Sequence, residues 1–269
     1  MRYFSLLLVA FALLFVNPLF AQDQYPDQNQ EANIDFVYPL TIRRPTVQNE
    51  LEFGVRHEKG REGRETELAG ELGLRPLPRW EIELEVPAVF LNPREEKSRS
   101  GLGDITIEND FLIFKSAEHR TQVTTGFEVT LPSGSKHRGL GGTVGVEPFL
   151  AGGIQLGHFD LLGEVAYEWG ELNAHHARDR EQELTVGGAA AYELTQYFKP
   201  LLELTTVRKT HGADEEDGPK LRGKQQLYLT PGFNFRAFGR MTLRFGVQLP
   251  VTRARESDYI LHSALTWFF

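Results

Sequence analysis

Apolar and polar residues alternate with a period of two along most of the chain after residue 47. Between Trp80 and Phe90 every even position is apolar, and three of the odd positions are glutamate. Successive side chains of a β-strand point to opposite faces, so this pattern predicts a strand with one apolar and one charged face. The alternation limits the chain to a sheet whose two surfaces meet different environments.

The same alternation predicts twelve strands, seven with a strong pattern and five with a weaker one. The strong segments are 51–55, 68–74, 80–90, 105–113, 123–131, 161–169 and 241–249, and the weaker ones are 143–156, 183–194, 199–208, 225–235 and 259–269. Short connections alternate with long ones, as they do in bacterial membrane barrels. The short ones are 75–79, 115–120, 157–160, 195–198 and 236–240; the others are 58–64, 91–103, 132–142, 170–182, 209–224 and 252–258.

The apolar face of the clearest strands carries no Lys, Arg, Asp or Glu. This is expected of a lipid-facing surface, where a cation near the midplane costs about 2–4 kcal/mol. The sequence therefore predicts an all-β fold, a transmembrane antiparallel up-and-down β-barrel of about twelve strands, closed by a C-terminal strand that ends in Phe. A soluble β-sandwich, with the apolar faces packed together, is the alternative left open.

The N-terminal region has the features of a secretory signal. Arg2 precedes an apolar run from Phe4 to Val16, and Ala21 stands where the sequence turns polar. We expect residues 1–21 to be a cleaved signal peptide, because the apolar run is shorter than the roughly 20 residues of a membrane span. The mature protein would then be exported to the bacterial outer membrane.

Residues 22–46 are polar at first and carry Arg43 and Arg44 further on. They are expected to form either a periplasmic tail, which the sequence favours, or a plug whose two arginines meet the barrel interior. Residues 47–269 are expected to form the barrel domain.

Composition excludes several function classes. The chain has no cysteine, which rules out disulfides, thiolate metal sites and cysteine nucleophiles. Its formal net charge is −8, so it lacks the basic surface that nucleic-acid binding requires. DNA and RNA are therefore not expected partners.

The charged faces of the predicted strands would share one lumen. The predicted lumen-lining residues are Glu50, Glu52, Arg56, Glu67, Glu71, Glu81, Glu83, Glu85, Asp104, Glu108, Asp110, Glu128, Glu164, Glu168 and Arg244. Such an excess of carboxylates is expected to disfavour anions in a pore. The alternative is that these side chains pair with one another and fill a closed interior.

A loop–strand motif, Gly101-Leu102-Gly103-Asp104, follows a proline-containing turn and an acidic alternating strand. This order resembles the meta-pathway phenol-degradation family of outer-membrane proteins, which carry a glycine-leucine-glycine-aspartate motif at this point. The resemblance extends loosely over residues 47–269 and implies an outer-membrane barrel similar to transporters or porins. From the residues themselves, Gly101 and Gly103 permit unusual backbone angles, and Asp104 either latches a loop to the wall or serves the turn alone.

The last strand ends on an aromatic residue. It places Tyr259, Leu261, Leu265, Trp267 and Phe269 on one face. This ending is similar to the C-terminal signal that delivers outer-membrane barrels to their assembly machinery. The predicted partners are this machinery and periplasmic chaperones, outer-membrane lipid and lipopolysaccharide, and a small-molecule solute.

Motifs for cofactors and metals are weak. The glycine-rich segment 139–145 lacks the third glycine and the following helix of a dinucleotide loop. His175-His176 and the acidic run 214–218 lack the ligand spacing of zinc and calcium sites and are interpreted as external loops. The sequence therefore predicts no cofactor and no metal site.

Three functional hypotheses follow. The first is a channel for passive uptake of a small organic solute, with aromatic and hydrophobic compounds among the candidates. The second is a closed structural or surface-interaction barrel that transports nothing. The third, a lipid-modifying enzyme, is disfavoured because the adjacent His262 and Ser263 face opposite sides of a strand, and no catalytic residue is predicted.

Overall fold

The computed structural model describes residues 34–174, 181–211, 223–237 and 240–269. From Glu50 onward, their strands form one antiparallel sheet closed on itself. The strands are β1 (Glu50–Gly60), β2 (Gly63–Leu77), β3 (Trp80–Pro93), β4 (Arg99–Leu102), β5 (Ile105–Ser116), β6 (Thr121–Leu131), β7 (Gly145–Leu156), β8 (Phe159–Trp169), β9 (Gln182–Tyr192), β10 (Phe198–His211), β11 (Gln225–Ala237), β12 (Met241–Pro250) and β13 (Ser257–Phe268). Within these ranges no helix is long and apolar enough to cross a membrane.

The sheet closes because β1 pairs with both β2 and β13, and β2 pairs with β3. Twelve strands form the wall, and the short β4 pairs with β3 beyond the end of β5. The predicted twelve-stranded antiparallel barrel, closed by the last strand, is confirmed. The wall strands have 10 to 15 residues, and most extend the predicted segments at one or both ends. β7 instead begins two residues after the start of the predicted segment 143–156.

β4 and β5 are separated by a β-bulge at Gly103 and Asp104. Ala88 of β3 lies opposite Leu102, whereas Glu85 lies opposite Thr106, so two residues of β3 face three of its partner. A bulge of this kind redirects a side chain next to the sheet. Here it turns Asp104 away from the ladder and toward the long loop between β6 and β7.

The barrel is apolar outside and polar inside. Phe53 and Leu204 are 53% and 49% exposed on the outer face, whereas Glu203 and Thr266 are 0% exposed on the inner face. A soluble protein would bury the first pair and expose the second. The alternative of a soluble sandwich is therefore wrong, and the outer face has the composition that lipid requires.

Aromatic side chains are concentrated on the outer face near the short connections. Trp80 stacks on Phe111 with ring centroids 6.4 Å apart, and Phe159 packs on Tyr192 at 4.9 Å. Trp267 is exposed at the same end. Such a belt is typical of a barrel whose edge lies at the membrane–water interface.

The C-terminal strand β13 completes the wall between β1 and β12. Tyr259, Leu261, Leu265 and Trp267 share its outer face, and Phe269 directly follows the strand. Their proposed role in assembly stays a prediction.

Leu204 lies at the centre of β10 on the outer face. We expect Leu204→Lys to lower the free energy of unfolding in lipid vesicles by about 2–4 kcal/mol, because a cation at this depth is desolvated by lipid. Denaturant titration of vesicle-inserted protein would measure the change. Glu95→Lys, in the exposed connection after β3, introduces the same charge outside the wall and should change stability little. Equal effects of the two substitutions would contradict a lipid-facing position for Leu204.

Candidate functional site: the barrel interior

Residues 34–49, called here the inner segment, lie inside the barrel without regular secondary structure. Their backbone groups are bonded by side chains of the wall. The amide of Val37 donates to Asp160 Oδ2 at 2.7 Å, and the amide of Tyr38 donates to Asn234 Oδ1 at 2.8 Å. Asn234 Nδ2 returns a hydrogen bond to the Tyr38 carbonyl at 2.8 Å. Buried backbone groups need such partners, and the wall supplies them at set positions.

The inner segment enters and leaves at the short-turn end of the barrel. Asp35 contacts Arg236 and Lys199, which lie beside two of the short connections. Further on, the amides of Leu40 and Thr41 donate to the carboxylate of Glu203 at 2.6 and 2.8 Å, in the middle of β10. The chain then returns and reaches β1 at Glu50.

Arg43 lies near the turning point of the inner segment and bridges four strands. Its guanidinium forms ion pairs with Glu108 and Glu164 at 2.7 and 2.8 Å, and with Glu147 and Glu128 at 2.8 and 3.2 Å. Burial acts to lower the pKa of Arg43, but the four carboxylates outweigh it and raise this pKa well above its usual value. Four carboxylates from four strands thus converge on one guanidinium.

Glycines of the wall leave room for apolar side chains of the inner segment. A Cβ at Gly187 would overlap Cγ2 of Ile42, whereas the nearest atom outside Ile42, Thr205 Oγ1, would be 3.7 Å away. A Cβ at Gly246 would overlap Cδ1 of Leu40. Wall and segment therefore complement each other in shape as well as in charge.

An apolar cluster joins the inner segment to the wall. Its buried members are Ile34, Phe36, Val37, Ile42, Leu162, Ala189, Ala191 and Leu201, and Leu40 packs against them. Burial of apolar surface gives this contact a favourable free energy that does not depend on charge.

A second arginine lies over an aromatic ring of the inner segment. The guanidinium of Arg44 lies 3.7 Å from the ring centroid of Tyr38, a cation–π arrangement. Arg244 of β12 forms an ion pair with Glu52 and donates to the carbonyl of Pro39 at 2.6 Å. Burial lowers the pKa of Arg44, and the charge of Asp35 counteracts this effect.

The strand residues predicted to line the lumen all alternate onto the inner face. Glu50, Glu52, Glu81, Asp110 and Glu164 are buried there, and the other strand members are half-buried. Of the arginines predicted to line the lumen, Arg56 pairs with Glu58 and Glu65, and Arg244 pairs with Glu52. That these groups line a conducting path stays a prediction.

Sequence reasoning missed three inner-face carboxylates that hold the inner segment: Glu147, Asp160 and Glu203. Glu147 and Glu203 lie on β7 and β10, whose alternation is weaker, and Asp160 stands in a predicted short connection. In β10 the run Leu202-Glu203-Leu204 already placed one carboxylate between two outward leucines. That local alternation was the available signal.

Two cavities of opposite charge adjoin the inner segment. The cavity at the short-turn end has a volume of about 420 Å³, and its lining includes Arg44, Arg75, Lys115, Arg236 and Arg240. The other has a volume of about 220 Å³ beside Leu40, and its lining includes Glu52, Glu67, Glu71, Glu85, Arg56 and Arg244. The interior is therefore basic at the short-turn mouth and acidic deeper inside.

The motifs His175-His176 and 214–218 lie outside the described residues. The segment 139–145 lies in the connection between β6 and β7, with a short 3₁₀ turn, Lys136–Arg138, before it. His262 faces the interior, where its Nε2 is 2.9 Å from Gln248 Oε1.

Comparison with known proteins identifies the family. The sequence profile described as "Putative MetA-pathway of phenol degradation" matches residues 45–257. The chain belongs to this family. Curated protein sequences gave no significant match.

Solved structures similar to this family member are outer-membrane barrels. An outer-membrane channel from Pseudomonas putida F1 superimposes with a TM-score of 0.62 at 13% identity, over 87% of this chain and 100% of that chain. NanC porin gives 0.54 at 12% identity, over 82% and 99% of the two chains. KdgM porin gives 0.52 at 11% identity, over 82% and 99%. At these identities the likeness shows the fold alone.

The glycine-leucine-glycine-aspartate motif of this phenol-degradation family member lies at the bulge between β4 and β5. Asp104 accepts hydrogen bonds from the amides of Gly134, Gly142 and Thr143 at 2.7 to 2.9 Å, and from the Thr143 hydroxyl at 2.9 Å. Burial acts to raise the pKa of Asp104, but the three amide hydrogen bonds outweigh it and lower this pKa below its usual value. One carboxylate thus joins both ends of the loop between β6 and β7 to the wall.

The neighbouring glycines give the loop room to approach. A Cβ at Gly101 would come within 2.9 Å of Leu140 Cδ1, and one at Gly141, where φ is +111°, would meet the Asp104 carboxylate at about 2.5 Å. Gly141 therefore serves both the backbone conformation and the close contact.

We expect Asp104→Asn to speed hydrogen exchange at the amides of Gly134, Gly142 and Thr143 at neutral pH, because it removes the charge and one acceptor oxygen. Asp258→Asn, which alters an aspartate at the start of β13 that is paired with Arg255, is the matched control and should leave these amides unchanged.

The pH dependence of the contact between Asp104 and the loop follows from the lowered pKa of Asp104. Because the ionised form is favoured in the folded protein, its stabilisation is present above the ordinary value of 3.8 and is lost as the pH falls through the lowered folded-state pKa. Wild type and Asp104→Asn should therefore differ in exchange at neutral pH and converge in strong acid. A difference that grows toward low pH would contradict the assignment.

Proposed function

We propose that the protein is a bacterial outer-membrane channel for passive uptake of a small organic solute, closed in this conformation by its inner segment. The observation that carries the proposal is a complete barrel wall around a segment that contributes no strand to it. Fold likeness to an outer-membrane channel and two porins supports the same function.

The alternative of a tail or a plug for residues 22–46 bears directly on this proposal. Residues 34–46 contact the inner wall, which supports the plug, and residues 22–33 lie outside the described residues. A segment bonded through side chains can leave without breaking the ladder hydrogen bonds of any strand. We therefore assign it the role of a gate.

Two observations bear on the solute: the family description and the charge of the predicted lumen. The family description names phenol degradation, which supports a small aromatic or hydrophobic compound as the candidate solute. The predicted lumen residues put an excess of carboxylates along the path, which would disfavour anions once the segment has moved. The basic cavity at the short-turn mouth would not remove this effect, because the narrow acidic part follows in series.

A closed structural barrel is the second candidate. It is favoured by the buried apolar cluster, whose burial stabilises the occupied interior. The two candidates differ in one measurable property, since a permanently filled barrel conducts no ions even when contacts of the inner segment are weakened.

A lipid-modifying activity has little support. Ser263 faces away from His262, and on the outer face His57 Nδ1 lies 2.8 Å from the Thr66 hydroxyl with no carboxylate bonded to His57 in the described part of the chain. A nucleophile needs an oriented base, and a phospholipid and lipid A activity screen would test this site. The expectation that the chain is not an enzyme stays a prediction.

Export and assembly belong to the same proposal. We assign residues 1–21 to a signal peptide, and the outer-face residues of β13 with Phe269 to recognition by the barrel-assembly machinery after escort by periplasmic chaperones. Outer-membrane lipid and lipopolysaccharide would then cover the exposed aromatic and aliphatic side chains.

The gate can be tested at Gly187. We expect Gly187→Val to raise single-channel conductance in planar bilayers, because its side chain would occupy the space of Ile42 and displace the inner segment. Adding Ile42→Ala to Gly187→Val should restore the low conductance by making room again. Deletion of residues 34–46 should raise conductance as well.

The matched control is Gly188→Val, the next residue on β9. A Cβ at Gly188 would meet only the Leu162 carbonyl, at 3.6 Å, and no atom of the inner segment. It should conduct as the wild type does. If Gly187→Val and the deletion variant fold and remain closed, the channel proposal is wrong and the structural barrel replaces it.

Charge selectivity gives a second test. In the Gly187→Val background the reversal potential in a KCl gradient should show preference for K⁺ over Cl⁻, because carboxylates released from Arg43 face the path. Replacing Glu128 and Glu147 by Gln should weaken that preference. Glu96→Gln, in the exposed connection between β3 and β4, should not. Anion preference in the open state would contradict the acidic path.

A further inference from the structure

Four carboxylates face each other directly across β3 and β5 on the inner wall. Glu83 lies opposite Glu108, and Glu81 lies opposite Asp110. Like charges in directly opposed positions destabilise a pair of strands. A wall built in this way is stabilised by positive charge close to these oxygens.

As a direct ion pair, the inner segment supplies that charge to Glu108. Arg44 also attracts Glu81, but without an ion pair between them in the described part of the chain. Arg43 Nε binds Glu108 at 2.7 Å, and its other nitrogens bind carboxylates of β6, β7 and β8. Among the described residues, no ion pair involves Glu83 or Asp110. The part of the row on β3 therefore lacks a cation bound directly.

The unpaired end has the geometry of a cation site. One carboxylate oxygen from each of Glu83, Glu108 and Asp110 lies within 4.8 Å of the other two. Asp110 is only 4% exposed, and its Oδ2 has no hydrogen-bond partner in the described part of the chain. A buried carboxylate oxygen without a partner is costly, and a bound cation would remove that cost.

We propose that Glu83, Glu108 and Asp110 bind a divalent cation, Ca²⁺, inside the barrel. Carboxylate oxygens are the ligands of hard cations, and Ca²⁺ accepts six to eight oxygens in irregular geometry with water completing the shell. Glu108 would be shared, because its Oε2 pairs with Arg43 while it also offers an oxygen to the group with Glu83 and Asp110. The neighbouring group Glu50, Glu71 and Glu83 shares Glu83 and continues the carboxylate row.

The test uses the full mature chain refolded in detergent without lipopolysaccharide, whose phosphates would themselves bind Ca²⁺. After treatment with a chelator, calorimetric titration with CaCl₂ should show saturable binding, and Ca²⁺ should raise the Tm. Asp110→Asn and Glu83→Gln should each weaken Ca²⁺ binding by about tenfold or more, because affinity follows the number of charged ligands. The rise in Tm should be lost with it.

Glu183→Gln is the matched control. Glu183 of β9 also lies directly opposite another carboxylate, Glu168, but belongs to neither carboxylate group described above. It should bind Ca²⁺ as the wild type does.

Three results would overturn the site: no saturable binding by the folded wild type, unchanged binding by both site variants, or equal weakening by Glu183→Gln. Circular dichroism checks folding, and if one site variant fails to fold, the other decides. Because binding is measured without conductance, a failed channel proposal would leave this result standing.

Discussion

Closure of the sheet confines the charged face of every strand to one narrow space. The inner wall offers directly opposed carboxylates from neighbouring strands, among them Glu108 with Glu128 and Glu128 with Glu147. Cations held at fixed positions lower the repulsion in such a row, because side chains of the wall cannot move apart without breaking the ladder. The inner segment supplies such a cation with Arg43, whose planar guanidinium contacts four carboxylates at once.

Packing of the inner segment against the wall determines the position of the Arg43 guanidinium. Ile42 packs against Gly187, and Leu40 packs between Gly232 and Gly246. The residues that precede Arg43 in the chain are therefore positioned by contact with the wall. Glu203 binds two successive amides between these contacts. The glycines therefore position the side chains of the inner segment, Glu203 binds its backbone, and the carboxylates around Arg43 bind its charge. A change at one glycine moves the segment without altering any carboxylate, which makes the contributions of shape and charge separable.

Local alternation predicted the wall but not its contents. The outer face of β3 or β12 can be predicted from the local sequence alone, because lipid excludes charged side chains along the whole outer face of a strand. The inner segment carries no period, since its partners come from distant strands, such as Asp160, which lies 123 residues after Val37. For the same reason the sequence favoured a tail for residues 22–46 and missed Glu147 and Glu203. The bulge at Gly103 and Asp104 also depends on a distant loop.

The wall keeps its backbone hydrogen bonds whether or not the inner segment is in place. The segment is held by side-chain contacts, and it joins the ladder only where β1 begins at Glu50. Within residues 34–49 one aspartate accompanies two arginines, so departure of the segment leaves the interior with one more uncompensated negative charge. The released carboxylates then attract mobile cations in place of Arg43. In the proposed channel, the occupied and the open arrangement would share one wall and differ in which cation neutralises its interior.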